Sequence, residues 1–143
     1  GHDELRRQFA VNVDGVQATT LAAAPYLPDG GRIIIIGSIT GERALTPGSS
    51  IYTASKHAVA GLAKGWARDL APRNILVNVI QPGPIDTDMN PTNEEIAAAI
   101  RQMIPLGRFG EAAEIAGVAA FLAGPDATFI TGATLNIDGG VTA

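Results

Sequence analysis

Two apolar runs, Arg32–Gly37 and Ile75–Ile80, most limit the folds open to this chain. Both are rich in β-branched residues, and neither alternates between apolar and polar side chains. That pattern is typical of strands buried on both faces of a parallel sheet. The residues between them, about 49–70, form an alanine-rich stretch long enough for a helix. A strand, a helix and a second strand in this order predict a right-handed crossover between parallel neighbours.

Further helices and one more strand extend the same alternation. Pro25 and the cluster Pro28–Gly31 end the first predicted helix. We therefore predict a single α/β domain with a doubly wound parallel sheet and helices on both of its faces. The remaining predicted elements are helices at about 3–24, 93–104 and 111–122 and a short strand at 134–137.

The composition excludes several function classes. Apolar residues make up 46% and charged residues 17% of the chain, and the net charge is −4, which argues against disorder and against a basic nucleic-acid-binding surface. There is no cysteine and there are only two histidines, so neither a thiolate zinc site nor a histidine metal triad is expected. No apolar stretch approaches the about 18 residues of a membrane-spanning helix. The polar N-terminus carries no basic signal region, and we expect a cytoplasmic protein without nucleic-acid or membrane partners.

Three polar side chains suggest a reaction. Tyr52 and Lys56 are four residues apart, so on a helix they share one face. Ser38 closes the first apolar run and can meet them at the end of its strand. A free phenol ionises only near pH ~10, and a cation held beside it favours the phenolate. A hydroxyl, such a phenol and a fixed positive charge suit proton exchange with a substrate oxygen while hydride moves elsewhere, which is oxidoreductase chemistry.

Three further segments lie in order around these residues. Asn12 stands within Phe9–Gly15, the segment Pro82–Thr87 follows the second strand, and Phe129–Gly140 lies near the end. This ordered set resembles the short-chain dehydrogenase/reductase family over essentially the whole chain. The resemblance implies NAD(P)-dependent hydride transfer between a nicotinamide and a small carbonyl compound or secondary alcohol.

The resemblance also implies a role for each catalytic candidate. Tyr52 would exchange a proton with the substrate carbonyl or hydroxyl, and Ser38 would orient and polarise that oxygen. Lys56 would favour ionisation of the phenol and hydrogen-bond the nicotinamide ribose. Asn12 matches an asparagine that maintains a helix kink and a water relay to the lysine, although by itself it could instead make a local backbone bond.

Cofactor residues are implied in the same way. The segment along the nicotinamide, beside Tyr52 and Lys56, would comprise Pro82, Gly83, Ile85 and Thr87. In this family the pyrophosphate lies on a glycine-rich turn after the first strand, and residues 1–143 contain no G-x-G-x-x-G turn. We therefore expect residues 1–143 to be the C-terminal part of a Rossmann-like domain whose glycine-rich dinucleotide-binding half is absent. The residue that chooses NAD or NADP is not in this sequence, and NADPH is the preferred expectation.

Two other functions remain open. Arg32–Ser38 and Gln81–Pro91 resemble segments of bacterial reductase-like proteins linked to cyclic-di-GMP binding and biofilm dispersal. This favours a cyclic-dinucleotide-binding regulatory protein on the same fold. Alternatively, the chain is a truncated product with no activity.

Residues 86 to about 105 are predicted to form a substrate lid. The alanine-rich helices at about 3–24 and 49–70 are implied by the resemblance to form the main interface of a homodimer or homotetramer. The apolar lid side chains either contact the substrate or pack the lid against the body: Met89, Ile96, Ile100 and Met103.

Overall fold

A three-stranded parallel sheet organises the computed structural model, which describes residues 1–89 and 93–143. In spatial order its strands are β1 (Arg32–Ile36), β2 (Leu76–Pro82) and β5 (Thr134–Ile137). Arg32 lies opposite Leu76, and Ile80 lies opposite Leu135. The predicted parallel sheet is therefore confirmed, with the middle position taken by the second apolar run.

Helices connect the strands in the predicted order. They are α1 (His2–Phe9), α2 (Gly15–Ala23), α3 (Ser50–Asp69), α4 (Glu94–Met103) and α5 (Ala112–Ala123). The side chain of Asn93 begins α4 by accepting hydrogen bonds from the backbone N–H groups of Glu95 and Ile96. The predicted helical segments are confirmed, with ends that differ by one or two residues.

Two local features depart from the prediction. Residues Ala10–Asp14 join α1 to α2 as a π-helical turn, where the sequence predicts an uninterrupted α-helix. A π turn inserts an extra residue into the helical repeat. Two short parallel strands, β3 (Ile85–Asp86) and β4 (Gly110–Glu111), were also not predicted. Strands of two residues are too short to show a periodic pattern.

The helices cover both faces of the sheet, as predicted. On one face Val59, Ala63 and Trp66 of α3 pack against Val77 and Val79 of β2. On the other face Leu122 of α5 packs against Ile80, and the partly buried Ile34 and Ile115 join this second cluster. Successive residues of β1 and β2 thus enter different cores, which explains why both strands are apolar without alternation.

The outer edge of β1 is only partly covered. Ile36 is 51% exposed, and among the described residues no strand pairs with β1 on the side away from β2. A cavity of about 620 Å³ opens between β1 and the α1–α2 helix. The run is therefore packed by helices on both faces, while its outer edge is open and Ile36 at its C-terminal end is half-exposed.

Some predicted features fall outside the described residues. The predicted lid includes residues 90–92 and the segment Gln81–Pro91 includes residues 90 and 91, so only the other parts of each have a described structure. Within residues 1–89 and 93–143, no helix is long and apolar enough to cross a membrane. In the same ranges, no three His, Cys, Asp or Glu side chains are grouped so that they could hold a metal ion.

Candidate active site

The candidate residues gather where the strands of the sheet end. Ser38 follows β1, Pro82 ends β2, and α3 returns Tyr52 to the same edge. Open parallel sheets bind ligands at this carboxyl edge. A cavity of about 450 Å³ lies there, and its lining includes six of the predicted site residues: Ser38, Tyr52, Pro82, Gly83, Ile85 and Thr87.

The oxygen of Ser38 is held by the residue two positions later. Ser38 has an extended backbone and begins a short helical turn, Ile39–Gly41. Its Oγ accepts hydrogen bonds from the Thr40 N–H at 3.3 Å and from the Thr40 hydroxyl at 3.0 Å. These two bonds engage the lone pairs of the hydroxyl oxygen, so the Ser38 O–H remains able to donate. Ser38 is thereby suited to donate to a substrate oxygen.

Tyr52 and Lys56 lie side by side in the first two turns of α3. The Lys56 Nζ is 5.6 Å from the centroid of the Tyr52 ring. The same Nζ donates to the backbone carbonyl of Ile36 at 3.4 Å, which ties α3 to the end of β1. Burial lowers the pKa of Lys56 from its ordinary value. The ammonium group lies over the Tyr52 ring in a cation–π contact.

Asn12 reaches the tyrosine through an intermediate serine. Asn12 lies in the π-helical turn, and its Nδ2 donates to the Ser55 Oγ at 3.1 Å. The Ser55 hydroxyl in turn donates to the backbone carbonyl of Tyr52 at 2.7 Å, and Ser55 is fully buried. Through Ser55, Asn12 is thus connected to the first turn of α3.

The Pro82–Thr87 segment is fixed by close packing. A Cβ added to Gly83 would lie 2.6 Å from the Cβ of Asp138, so only glycine fits this turn. The residues after this turn form β3, which pairs with β4. The Gly110 N–H of β4 donates to the carbonyl of Pro84, the residue before β3, at 3.0 Å. Residues 87–109, which include all but the first residue of the predicted lid, therefore begin and end at this strand pair beside the cavity.

An ion pair secures the base of β4. The Arg108 guanidinium donates to both carboxylate oxygens of Glu114, each at 2.9 Å. The hydrogen bond from Arg108 lowers the pKa of Glu114 to about 2. The Glu111 N–H also donates to this carboxylate, at the first turn of α5. The carboxylate therefore stays ionised while it caps the helix.

Thr40 and Ser55 are the residues that sequence reasoning missed. Neither carries a charge or an unusual spacing by itself. Ser55 does occupy the third position after Tyr52 in Tyr52-Thr53-Ala54-Ser55-Lys56. A hydroxyl there can accept from a neighbouring helix while it bonds its own backbone, which is the only signal that could have indicated it.

A parallel α/β sheet with a hydroxyl, a phenol and an ammonium at its carboxyl edge defines an enzyme-like site on a doubly wound fold. A family model described as Enoyl-(Acyl carrier protein) reductase matches residues 1–142. The chain belongs to the short-chain dehydrogenase/reductase family. The family resemblance read from the motifs is therefore confirmed.

Several bacterial proteins are similar to this chain. A short-chain dehydrogenase/reductase from Serratia marcescens is 52% identical, with a TM-score of 0.96, and the match covers 100% of this chain and 58% of that one. A short-chain dehydrogenase from Burkholderia cenocepacia in complex with NADP is 42% identical, with a TM-score of 0.95 over 100% and 58% of the two chains. The cyclic-di-GMP-binding biofilm dispersal mediator protein of Escherichia coli is 46% identical over 137 residues, 96% of this chain and 58% of the relative. The chain thus spans a little over half the length of these proteins.

Proposed function

We propose that this chain carries the catalytic part of an NAD(P)-dependent oxidoreductase. The reaction is hydride transfer between a nicotinamide and a small carbonyl compound or secondary alcohol. The observation that carries the proposal is that Ser38, Tyr52 and residues of the Pro82–Thr87 segment line the same cavity. The Lys56 Nζ lies 5.6 Å from the centroid of the Tyr52 ring. Family membership and the NADP complex of the Burkholderia relative support the same reaction class.

The residues present fit the nicotinamide end of such a cofactor. Ile36, Pro84 and Ile85 give the cavity apolar walls for a flat ring, and Ser38 and Tyr52 give it polar groups for the reacting atoms. Lys56 supplies a cation close to Tyr52, where a ribose hydroxyl could accept from it. The pyrophosphate is a different case, because residues 1–143 contain no glycine-rich turn of the required spacing. We propose that this part of the site lies outside these residues.

The proton steps follow from the hydrogen bonds of the site. The nicotinamide, when bound, supplies or accepts the hydride. Ser38 donates to the substrate oxygen, because the two bonds from Thr40 leave its O–H for that purpose. Tyr52 gives a proton to the same oxygen during reduction and takes it back during oxidation. The Lys56 ammonium stabilises the phenolate that forms, and the link from Asn12 through Ser55 holds this turn of α3 in place.

A second candidate function is binding of cyclic-di-GMP. The observation that favours it is the 46% identity to the Escherichia coli protein named for that ligand. The two functions make different demands on the cavity. A cyclic dinucleotide needs cationic groups for two phosphates, whereas no Lys, Arg or His is among the described residues that line this cavity, and the nearby cation is Lys56, next to Tyr52. The oxidoreductase is therefore the preferred function.

The test uses an extended form, in which the remainder of the Serratia marcescens chain is placed before residue 1. NADPH oxidation is followed with a panel of carbonyl substrates that includes a reactive diketone. Calorimetric titration with cyclic-di-GMP is run in parallel. Saturable turnover supports the oxidoreductase, whereas cyclic-di-GMP binding without turnover supports the second function. If the extended form shows neither turnover nor cyclic-di-GMP binding, the chain is an inactive product and both proposed functions are contradicted.

Replacement of Lys56 by methionine should weaken both cofactor binding and turnover. Methionine keeps much of the chain length but removes the ammonium and its hydrogen bonds. We expect KM for NADPH to rise and kcat to fall by about 10- to 100-fold each, the usual cost of a lost charged hydrogen bond. The melting temperature should not fall. Burial lowers the folded-state pKa of Lys56, so below its unfolded pKa the buried ammonium destabilises the fold.

Lys64 provides the matched control on the same helix. It is exposed, so Lys64→Met should leave KM, kcat and melting temperature unchanged. A Lys56→Met protein that turns over normally would remove the ammonium from the mechanism. One that loses activity and melts much earlier would assign Lys56 a structural role.

We also expect the protein to form a homodimer or homotetramer through α3 and the α1–α2 helix. Gly61 and Gly65 are exposed on α3, beside a cavity of about 430 Å³ shared with the N-terminal helix. Small side chains allow close helix approach around a two-fold axis. Gly61→Arg should shift the sedimentation coefficient of the extended form towards that of a monomer. A Cβ at Gly61 meets no atom within 4 Å, so the fold itself tolerates the change.

Gln102→Arg adds the same charge on the exposed side of α4 and serves as the control. Its sedimentation should equal that of the unmodified protein. A monomeric unmodified protein at micromolar concentration, or an oligomer indifferent to Gly61→Arg, would contradict the proposed interface.

A further inference from the structure

The loop Asp138–Thr142, called here the C-terminal loop, closes on the side chain of Asp138. Its Oδ1 accepts from the Gly140 N–H at 2.9 Å, and its Oδ2 accepts from the Thr142 N–H at 2.9 Å and from the Thr142 hydroxyl at 2.6 Å. Desolvation alone would raise the pKa of Asp138, but these hydrogen bonds outweigh it and hold the pKa below its ordinary value. The loop is therefore built on the ionised carboxylate.

The C-terminal loop lies directly against the proposed nicotinamide turn. The Gly83 N–H donates to the carbonyl of Ile137 at 2.9 Å, the residue before the loop. A Cβ on Gly83 would lie 2.6 Å from the Cβ and 2.7 Å from the Cα of Asp138. Any movement of Asp138 is therefore transmitted to the Pro82-Gly83 turn, because no space separates them.

The same loop holds the C-terminal end of the lid. The Leu106 N–H donates to the carbonyl of Gly139 at 3.1 Å. Gly139 has a φ of +63°, and a Cβ there would lie 2.7 Å from the Cγ2 of Ile104, which is buried. The end of the lid thus packs against the backbone of Gly139, whose conformation depends on the closure of the C-terminal loop.

The loop also contacts the segment that follows Ser38. The Arg43 guanidinium donates to the carbonyl of Val141 at 2.6 Å. The amide of Asn136 donates to the carboxylate of Glu42 and, at 2.9 Å, to the hydroxyl of Thr142. Three separate parts of the site therefore meet at one loop.

We propose that Asp138 is a positioning residue of this site. By closing the C-terminal loop it fixes the nicotinamide turn, the serine segment and the end of the lid relative to one another. The effect on catalysis rests on the proposed function. The coupling of the C-terminal loop to the nicotinamide turn and the lid rests on the hydrogen bonds alone. It gives a role to the Asp138-Gly139-Gly140 sequence, to which the proton-transfer mechanism assigns none.

The test replaces Asp138 with asparagine. An amide has one acceptor oxygen and one donor nitrogen, so in either orientation its NH₂ faces the N–H of Gly140 or Thr142 and at least one bond is lost. Amide hydrogen exchange is measured by NMR in the extended form. We expect exchange at Gly83 and Leu106 to accelerate by about tenfold beyond any change at the core amides of β2. Thr142→Val, which removes only the hydroxyl, should give a smaller change at the same two amides, and the exposed Asp126→Asn should give none.

Kinetics of the extended form test the catalytic consequence. We expect Asp138→Asn to raise KM for NADPH about tenfold while kcat stays within about twofold, since the acid/base group itself is untouched. If Asp138→Asn leaves exchange at Gly83 and Leu106 unchanged, or raises it equally at all amides, the proposed coupling of the C-terminal loop to these segments is overturned. Faster exchange at Gly83 with an unaltered KM overturns the positioning role. If the unmodified extended form shows no turnover, the proposed function fails, and the exchange data still decide the coupling.

Discussion

Replacement of Tyr52 by phenylalanine in the extended form is expected to reduce kcat by about 10²- to 10⁴-fold, the usual contribution of a positioned acid or base. The phenyl ring keeps the packing of the half-buried side chain and its position near the Lys56 ammonium, so the change removes little beyond the ionisable hydroxyl. Affinity for NADPH should change by much less than kcat. Steady-state kinetics with NADPH and a diketone, together with cofactor titration, measure both quantities.

The chain offers a second tyrosine as the control. Tyr26 is 89% exposed and lies far along the chain from the site, so Tyr26→Phe should leave kcat and KM unchanged. A Tyr52→Phe protein with normal turnover would eliminate proton transfer by this residue. A proportional loss in both variants would point to a general effect of the substitution.

The other large effect concerns residues 1–143 by themselves. We expect no saturable NADPH oxidation from these residues alone and restored turnover in the extended form. They bring together Ser38, Tyr52 and the Pro82–Thr87 segment but contain no glycine-rich turn for a pyrophosphate. The outer edge of β1, which no strand of the described residues pairs with and which ends at the half-exposed Ile36, is also a template for strand exchange or aggregation.

Both forms are assayed with the same diketone and by calorimetric titration of NADPH. Light scattering of residues 1–143 separates a soluble, inactive chain from an aggregated one. Turnover by residues 1–143 that saturates and disappears with Tyr52→Phe would refute the expectation. It would mean that these residues build a complete cofactor site.

The sequence predicts the larger elements well because each has a strong local pattern. The run Ile33–Ile36 has no polar residue to place outward, and Pro25 stops the preceding helix. Both signals depend only on nearby residues. The pair β3–β4 instead requires Ile85 to pair with Gly110, with the lid between them in the chain. No pattern among neighbouring residues predicts such a distant pairing.

The candidate site divides in the same way. The spacing of Tyr52 and Lys56 on one helix is visible in the sequence, and the structure brings their side chains together. The partners that hold the site are not visible. Asn12 bonds Ser55, which lies 43 positions away in the chain. Asp138 packs so closely on Gly83 that a Cβ on Gly83 would clash with it. The catalytic roles of these residues remain predictions.

The parallel pair β3–β4 makes the lid an interchangeable unit. Everything between Asp86 and Gly110 leaves and returns through two adjacent strand ends, and the Arg108–Glu114 ion pair anchors the return to α5. A loop whose ends are fixed side by side tolerates insertion, deletion or exchange at a modest entropic cost. If the proposed function holds, the residues between these two points can therefore vary while Ser38, after β1, and Tyr52, on α3, stay in place. The lid of one relative should be graftable onto the body of another at Ile85 and Gly110.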